Sequence, residues 1–568
     1  MSTIQLSTPS PTVQVHLPDG RVLEGPRGAP VGDFLAVVND PAAPTVGAIV
    51  NGELRELSYP ITMESRVTPV TMATADGMRI YRRTLTFLLE AAFEETFPGI
   101  PLTIDHSVTS GGYFCQVENR PPLNETELAA VEAQMRTLVE ANLPIRRERD
   151  VPLEEVIAYF QAKGQDDKVR LLKHRHKKSL SLYRLGEHSD YHFGYMLPST
   201  GYMRWFKLSP IDDGFILRFP RRHRPTELLP MPQFPKLLNT FRQYGDWLER
   251  LGISDVGALN NAIQAGRINE IILVSEALHD RHIAEIAAQI AARRDQARII
   301  LIAGPSSSGK TTFSRRLSIQ LLAHGISPFP LEMDNYFVDR EKTPRDENGN
   351  FDFESFDALD HRQLESDLQR LVAGERVQLP RYNFRAGRQE PGDVVQLQPG
   401  QMVILEGIHG LNPRLGEHLE SAQTFRIYVS ALTQLNLDRH NRISTTDTRL
   451  IRRIVRDARE RGYTAEDTIN RWESVRRGEK RHIFPYQENA DAMFNSALVF
   501  ELAALKPLAE PLLRQVPHTS PAHIEAKRLL SLLEWFLPIE DDLIPENSII
   551  KEFLGGSSLR NFRLWQNA

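Results

Sequence analysis

Residues 299–323 read IILIAGPSSSGKTTFSRRLSIQLLA, and this stretch decides the fold of the second half of the chain. It begins with an apolar, mostly β-branched run, which predicts a buried strand. The next residues, Gly304–Thr311, fit the pattern GxxxxGK[ST], and the apolar spacing that follows is typical of a helix. A glycine-rich turn between a strand and a helix N-terminus lets backbone N–H groups converge on phosphate oxygens. The sequence therefore predicts a phosphate-binding loop (P-loop), because a chance Gly/Ser loop would lack these flanks.

The loop predicts a site for ATP and Mg²⁺. Lys310 is expected to reach the β- and γ-phosphates, and the Thr311 hydroxyl to ligate Mg²⁺. Glu406 follows the apolar run Val403–Leu405. Neighbouring strands of a parallel sheet end at one crevice, so Glu406 is expected to hold Mg²⁺ directly or through water. The alternative is a strand-end carboxylate with no task. The residues predicted to bind the nucleotide are Gly304, Ser306, Ser307, Ser308, Gly309, Lys310, Thr311 and Thr312.

Apolar runs alternate with helical stretches after residue 298. Strands are predicted at Ile299–Ala303, Val403–Leu405, Phe425–Val429 and Ala497–Leu502. Parallel strands joined by helices form a doubly wound sheet, which is the architecture we expect for this part of the chain.

Four segments carry a resemblance to a known family. They are Leu331–Phe337 (LEMDNYF), Phe351–Asp357 (FDFESFD), Pro380–Phe384 (PRYNF) and the Arg-rich Asp447–Gly462. With the P-loop, they make residues from about 298 to 500 similar to the uridine–cytidine kinase branch of the phosphoribulokinase/uridine kinase family.

The resemblance implies transfer of the ATP γ-phosphate to a nucleoside 5′-hydroxyl, that of uridine or cytidine first. Asp334 would accept the proton of that hydroxyl, since phosphoryl transfer needs an oriented nucleophile; its alternative is a turn or helix-cap residue. The Arg-rich segment would be a lid helix that excludes water, whereas a charged helix is often only a solvated face. The implied catalytic residues are Asp334, Lys310, Arg453, Arg456 and Arg461. The implied substrate-binding residues are Asp334, Tyr336, Asp352, Tyr382, Phe384 and Arg453.

Three positions depart from the family pattern around the pyrimidine base. Gly387 stands where the family usually has His, Tyr463 where it has Arg, and Arg471 where it has Gln. A site without hydrogen-bond partners for uracil loses discrimination. Another small hydroxylated acceptor therefore stays open as an alternative.

The front of the chain resembles two domains of threonyl-tRNA synthetases. Residues 13–72 resemble the TGS-type β-grasp domain, and residues 75–222 resemble the editing domain, most clearly in Asp190–Gly201. Where the family has Cys and His four residues apart, this chain has His192 and Met196, and no histidine lies in the helix near 80–92. A zinc or His-based hydrolytic site needs several converging ligands. We therefore expect an editing-like domain without catalytic activity.

The predicted fold class is multidomain, α+β and α/β. The expected order is a TGS-type β-grasp domain (13–72), an editing-like α+β domain (75–222), a helical linker (223–297), a P-loop uridine kinase-like domain with a doubly wound parallel sheet and a helical lid (298–505), and a helical C-terminal segment (506–568). In the last segment Ile549, Ile550, Phe553 and Leu554 are expected to be buried against the body, since large apolar side chains avoid water.

Two basic runs in the front half open a second hypothesis, an RNA- or tRNA-associated NTP-dependent regulator. Such runs can follow RNA phosphates, but they are commonly only solvated surface. An oligomeric or regulatory role is equally open. The runs are Lys168, Arg170, Lys173, His174, Arg175, His176, Lys177 and Lys178, and Arg218, Arg221, Arg222 and Arg224.

Bulk composition limits the class of protein. The 568 residues carry 68 Lys plus Arg against 73 Asp plus Glu, so the chain as a whole is not a polycation for nucleic acid. The single cysteine, Cys115, cannot form an internal disulfide, which fits a reducing cytosol. No apolar run approaches the roughly 20 residues of a membrane span. We expect a cytoplasmic protein without membrane contact that acts on a small molecule and can form a homo-oligomer.

Overall fold

The computed structural model describes residue 8 and residues 10–108, 111–346, 349, 351–415 and 421–562. Among the helices that it describes, none combines the length and the apolar character of a bilayer-crossing segment.

The front of the chain is a five-stranded sheet with one short helix. Its elements are β1 (Thr12–His16), β2 (Val22–Pro26), α1 (Val31–Ala36), β3 (Thr45–Val50), β4 (Glu53–Arg55) and β5 (Ser65–Thr71). The strand order is β2-β1-β5-β3-β4, in which β1 and β5 run parallel and the other neighbours antiparallel. The β1–β2 hairpin turns at Asp19-Gly20, where Gly20 takes a left-handed φ of 87°. This arrangement matches the β-grasp pattern expected from the sequence.

The next part is built around one long helix. Its elements are α2 (Ala75–Thr96), β6 (Leu102–Val108), β7 (Gly112–Val117), α3 (Glu125–Glu140), β8 (Arg146–Pro152), α4 (Leu153–Ala162), α5 (Asp166–Lys173), β9 (Ser179–Leu185), β10 (His188–Asp190), β11 (Lys207–Ile211) and β12 (Gly214–Arg218). They form two sheets, of order β10-β9-β8 and β11-β12-β7-β6. Thr74 caps α2 by accepting from the N–H of Gly77 at 3.1 Å. All residues from Leu85 to Phe93 are buried, so α2 is the central helix of this part.

Three helices then lead to the parallel sheet: α6 (Pro235–Leu251), α7 (Val256–Gln264) and α8 (Ile268–Ala292). The stripe of Ile283, Ile286 and Ile290 on α8 packs in one core with Ile300 of the parallel sheet. The segment predicted as a linker therefore contributes a structural layer to the sheet.

The remaining elements form the parallel sheet and its helices. They are β13 (Ile299–Ala303), α9 (Lys310–Ala323), β14 (Pro328–Glu332), α10 (His361–Val372), β15 (Val377–Asn383), β16 (Arg388–Val395), β17 (Met402–Glu406), β18 (Thr424–Ser430), α11 (Thr445–Arg461), α12 (Ala465–His482), β19 (Ala492–Asn495), α13 (Glu501–Arg514), α14 (His523–Leu533) and α15 (Lys551–Leu554). The sheet order is β14-β17-β13-β18-β19, all parallel, with β15 and β16 as a separate hairpin.

The central strand β13 supports a core on each face. Ile300 and Ile302 pack with α8 and α9, while Ile299 and Leu301 pack with α10. Every residue of β13 is buried, as a run without polar alternation predicts for a parallel sheet. The doubly wound sheet is confirmed.

One predicted strand was wrong. The apolar run Ala497–Leu502 is not the last strand: β19 lies just before it, and Glu501 starts α13. The run instead packs into a hydrophobic core, where Leu498 and Phe500 are buried. An apolar run reports burial, and burial alone does not distinguish a strand from the start of a helix.

The editing-like part and the parallel-sheet part share a hydrophobic core. Phe160 of α4 and Leu172 of α5 lie in one cluster with Leu450 of α11 and Leu529 of α14. The C-terminal segment joins the same packing, with Ile550 and its neighbours Ile549, Phe553 and Leu554 buried as expected.

A buried ion cluster crosses this interface. Lys168 of α5 is 1% exposed and donates to both carboxylate oxygens of Asp190, at 2.9 and 2.7 Å, and to Asp438 at 3.1 Å. Tyr191 donates to the other oxygen of Asp438 at 2.7 Å. Lys168 was expected within a basic surface run, but its carboxylate partners hold it inside.

Replacing Lys168 by Ala is expected to destabilise the protein by about 3–5 kcal/mol, because it leaves the buried carboxylates of Asp190 and Asp438 without their cation. The matched control is Lys163→Ala, which breaks the more exposed pair with Glu94 and is expected to cost about 0–1 kcal/mol. Urea denaturation monitored by circular dichroism measures both changes. Equal midpoints for the two variants would show that the cluster adds no stability.

Candidate active site

The turn after β13 can be made only by glycine at its first position. A Cβ on Gly304 would lie 1.9 Å from the carbonyl oxygen of Val429 on the neighbouring strand. Gly309 has a φ of +81°, and a Cβ there would lie 2.5 Å from Ile549 Cγ2. Both glycines of the motif are therefore required by the backbone path.

The loop between these glycines exposes groups suited to an anion. Ser307 is a non-glycine residue at a φ of 58°, a conformation that turns successive N–H groups toward one side. The buried hydroxyls of Ser307 and Ser308 have no hydrogen-bond partner among the described residues. Unpaired buried donors are costly unless a ligand satisfies them. The loop therefore fits a polyphosphate.

The predicted metal ligands lie next to each other. Thr311 Oγ1 donates to Glu406 Oε1 at 2.7 Å. Burial raises the pKa of Glu406 to about 7, and the nearby charge of Lys310 opposes that rise. Lys310 itself lies back over the loop, with Nζ 3.2 Å from the carbonyl oxygen of Pro305, and burial lowers its pKa. A divalent cation at Thr311 and Glu406 would stabilise the carboxylate form.

Asp334 lies at the end of β14, in a short 3₁₀ turn that spans Met333–Tyr336. Burial raises the pKa of Asp334, and the positive charge of Lys310 opposes that rise. Solvent still reaches this carboxylate, which limits the effect of burial. β13 and β14 both pair in parallel with β17, so the loop that carries Lys310 and the turn that carries Asp334 follow strand ends on the same edge of the sheet.

A further carboxylate in this cleft was missed by the sequence analysis. Burial raises the pKa of Glu354 to about 7, and the charges that act on it next are those of Arg453, Asp334 and Lys310. Gly478 makes room for it, since a Cβ there would lie 2.2 Å from the Cβ of Glu354. The only sequence signal was its place in the segment FDFESFD.

Three arginines of α11 surround one carboxylate. Asp457 is 2% exposed and accepts from Arg453 at 3.1 Å and from Arg456 at 3.0 Å, with Arg461 at 3.4 Å. Arg453 also donates to the Ser306 hydroxyl of the P-loop at 2.9 Å. Arg453 is thus held at the loop, while Arg456 and the half-exposed Arg461 are held near it through Asp457.

Two arginines that the sequence analysis passed over also contact the loop. Arg449 donates to the Ser306 carbonyl at 2.8 Å and forms an ion pair with Glu479. Arg452 donates to the Ser307 carbonyl of the loop at 3.5 Å and to the Ser496 carbonyl at 2.9 Å, and it pairs with Glu501. The sequence could have indicated them by their spacing from Arg453, since Arg449 lies one helical turn before it and Arg452 is adjacent to it.

The residues predicted to bind the acceptor lie in different surroundings. Tyr382 and Phe384 are in T-shaped contact, with ring centroids 5.0 Å apart, and Phe384 is exposed. Asp352 turns back on its own segment, where it accepts from the Glu354 N–H at 3.2 Å. Tyr336 corrects the prediction: it is fully buried and its hydroxyl bonds Asp367 at 3.2 Å, so it belongs to the core.

Two of the positions that depart from the family pattern pair with each other. The Arg471 guanidinium lies 4.4 Å from the ring centroid of Tyr463. Gly387 has a left-handed φ of 69°, and a Cβ there would lie 3.0 Å from the Arg340 side chain. A side chain at 387 would therefore need both backbone strain and movement of Arg340.

The C-terminal segment enters the nucleotide site. Glu552 Oε2 accepts from the backbone N–H of Thr312 at 3.1 Å and from its hydroxyl at 2.9 Å. A carboxylate is favoured at the N-terminal turn of α9 by the helix dipole, as a phosphate would be. Thr312 was predicted to bind the nucleotide, but in this conformation Glu552 occupies its donors.

The editing-like part contains a buried acidic and histidine cluster. Glu90, Asp190 and His192 bring ligand atoms within 4.8 Å of one another. His440, from the parallel-sheet part, bonds Asp190 at 2.9 Å, and Lys168 already neutralises that carboxylate. His192 was expected to be the only residue left of the family's editing site. It is instead one member of a buried charge network.

Glu552→Ala is expected to tighten binding of a nonhydrolysable ATP analogue by about tenfold, because it removes a carboxylate that competes with phosphate for Thr312. Isothermal titration calorimetry measures the affinity, with Glu546→Ala, an exposed residue of the same segment, as the control. Unchanged or weaker binding in Glu552→Ala would show that the contact does not compete.

Mg²⁺ affinity is expected to depend on pH through Glu406. Its pKa of about 7 means that metal binding must displace a proton at lower pH, so affinity falls about tenfold per pH unit below that value. Above it the carboxylate is already ionised and the dependence flattens. Mg²⁺ titrations between pH 5.5 and 8.5 with the ATP analogue measure this, and Glu406→Gln should lose the dependence. A flat profile in the unmodified protein would contradict the assignment.

Comparison with known proteins gives different matches for the two halves. The front part matches threonine–tRNA ligases: that of Syntrophotalea carbinolica is 32% identical over 205 residues, and that of Symbiobacterium thermophilum 33% over 208. Each match covers 36% of this chain and 32% of the relative, so the chain spans about a third of the length of these relatives.

The back part matches kinases. The solved structure of D-glycerate 3-kinase from Cryptococcus neoformans var. grubii aligns over 37% of this chain and 89% of its own, at 16% identity and a TM-score of 0.26. The model of the Phosphoribulokinase / Uridine kinase family matches residues 299–502. This segment, which contains the P-loop, Asp334 and helix α11, is therefore similar to that family.

Proposed function

We propose that the protein is an ATP-dependent phosphotransferase that transfers the γ-phosphate to a nucleoside 5′-hydroxyl. The observation that carries the proposal is that Lys310 and Asp334 follow the carboxyl ends of β13 and β14, which both pair in parallel with β17, and that the charge of each alters the pKa of the other. A nucleotide switch needs the lysine but has no use for an acceptor base beside it.

The residues of the cleft divide the work of an in-line transfer. Asp334 orients the acceptor hydroxyl and takes its proton as the oxygen attacks the γ-phosphorus and ADP leaves. Lys310 and Arg453 face the charge that develops on the phosphoryl oxygens. Thr311 and Glu406 would hold Mg²⁺, which neutralises the β- and γ-phosphate charge when bound.

A different small hydroxylated acceptor is the second candidate. The contact between Arg471 and Tyr463 leaves both positions engaged with each other, and Gly387 offers no side chain. The aromatic strip of Tyr382 and Phe384 supports a ring-bearing acceptor, so nucleosides remain the first class to test.

The RNA-dependent regulator is less well supported. Lys168 of the first basic run is buried, Arg170 pairs with Asp255 at 2.6 Å, and Lys177 pairs with Glu534 at 2.8 Å. Much of this run is therefore engaged within the protein.

Purified protein with Mg-ATP and a panel of nucleosides and sugars is expected to form a phosphorylated product. Asp334→Asn should lower kcat by about 10²–10⁴ while ATP-analogue binding is retained, because the base is lost and the P-loop is not. The matched control, Asp339→Asn, changes an exposed carboxylate that pairs with Lys342 and should keep full activity. ATP hydrolysis that is stimulated only by RNA and is indifferent to Asp334→Asn would reject the proposal.

A further inference from the structure

A second cavity lies between the two halves of the molecule. It has a volume of about 430 Å³, in the range of small-ligand sites. Its walls come from α2, β7 and the residues after β12 on one side, and from β18, α11 and α12 on the other. No residue of Gly304–Thr312 lines it, so it is distinct from the P-loop site.

The cavity carries an excess of positive charge. Five cations of the lining have no carboxylate within salt-bridge distance in the described part of the chain: Arg82, Arg83, Arg221, Arg442 and Lys480. Its other arginines, Arg79, Arg222, Arg449, Arg476 and Arg528, do have such partners. The two carboxylates of the lining are already engaged, Glu473 with Arg222 at 2.5 Å and Asp447 with Arg528 at 2.7 Å. The protein itself therefore does not neutralise this space.

The cations in the lining raise one another's energy. Burial lowers the pKa of Lys480 to about 7, and the charges of Arg222 and Arg476 lower it further. Burial lowers the pKa of Arg221 to about 10, with Arg82 and Arg476 acting in the same direction. Such crowding is costly unless an anion compensates it.

The neutral contacts of these cations point to a phosphorylated ligand. Arg82 lies 4.6 Å from the Phe219 ring centroid, and Arg442 lies 4.6 Å from that of Tyr113. The Nε of Arg82 is buried without a hydrogen-bond partner among the described residues. Guanidinium groups that stack on aromatic rings and keep N–H donors without a protein partner are typical of sites for phosphate esters.

We propose that this cavity is a binding site for a small phosphorylated molecule, separate from the ATP and acceptor sites. The recognition groups are Arg82, Arg221 and Lys480, which reach it from α2, from the residues after β12 and from α12. Because the site is assembled from both halves, the editing-like part contributes a ligand site to the kinase domain. The proposal does not depend on phosphotransfer at the P-loop.

Inorganic pyrophosphate without Mg²⁺ is the probe, and isothermal titration calorimetry counts its sites in the full-length protein. We expect two sites in the unmodified protein, one after Lys310→Ala, one after the double change Arg221→Gln/Lys480→Gln, and none after all three. The cavity site should weaken at least tenfold in the double variant. Lys207→Gln, an exposed cation on β11, is the control and should retain both sites.

Thermal unfolding keeps the test independent of misfolding. Without pyrophosphate, Lys480→Gln should unfold at the same temperature as the unmodified protein or higher, because it removes a cation surrounded by cations. It should also lose the thermal shift that pyrophosphate gives in the Lys310→Ala background. A single pyrophosphate site that disappears with Lys310→Ala would overturn the proposal. The proposal would also be overturned if the cavity bound an RNA oligonucleotide but not pyrophosphate, and if the changes at Arg221 and Lys480 abolished that RNA binding.

Discussion

A single buried carboxylate, that of Glu479, joins the P-loop to the two helices above it. It has no exposed surface, and its Oε1 accepts from the backbone N–H of Ser306 at 3.1 Å and from Arg449. Its Oε2 accepts from Arg476 at 2.7 Å. A buried charge is tolerated only when its lone pairs are satisfied by cations and N–H donors. The conformation of the loop and the position of α11 and α12 are therefore coupled through this one group.

Charge is separated on the two sides of α11. The cleft toward the sheet collects carboxylates, and burial raises the pKa of both Glu354 and Glu406 to about 7. The cavity toward the editing-like part collects cations, of which Lys480 has its pKa lowered to about 7. Arg449 belongs to both, since it lines the cavity and donates to the Ser306 carbonyl of the loop. The carboxylates of the cleft thus have the charge opposite to that of a divalent metal ion, and the cations of the cavity have the charge opposite to that of a phosphate ester.

The C-terminal segment links the end of the chain to its central site. Ile549 packs beside Gly309, and Glu552 accepts from Thr312 at the start of α9. Apolar burial holds the segment in place, so its carboxylate is presented to the loop at little further cost in chain entropy. The segment is accordingly part of the nucleotide site, although it lies more than 200 residues after the P-loop in the chain.

Local pattern was enough for the elements whose chemistry is contained in a short segment. The apolar run of β13, the glycines of the loop and the strand-end position of Glu406 could be predicted, because a buried parallel strand and a phosphate loop have strict local requirements. Asp334 was expected only from the resemblance to a kinase family. The run Ala497–Leu502 could not be assigned, since its apolar residues are buried by helices and β18 instead pairs with Ala492–Asn495.

The sequence by itself determined the strand β13, the phosphate loop that follows it and the strand-end carboxylate of Glu406. Only the tertiary structure decided which distant groups meet them: Glu354 and Glu479 around the loop, Glu552 on Thr312, and the cations of two halves around one cavity. It also showed that Tyr336, expected to bind substrate, and Lys168, expected in a basic surface run, are both buried. The physical reason is that burial, charge pairing and pKa depend on neighbours through space, and those neighbours come from segments that no local pattern connects.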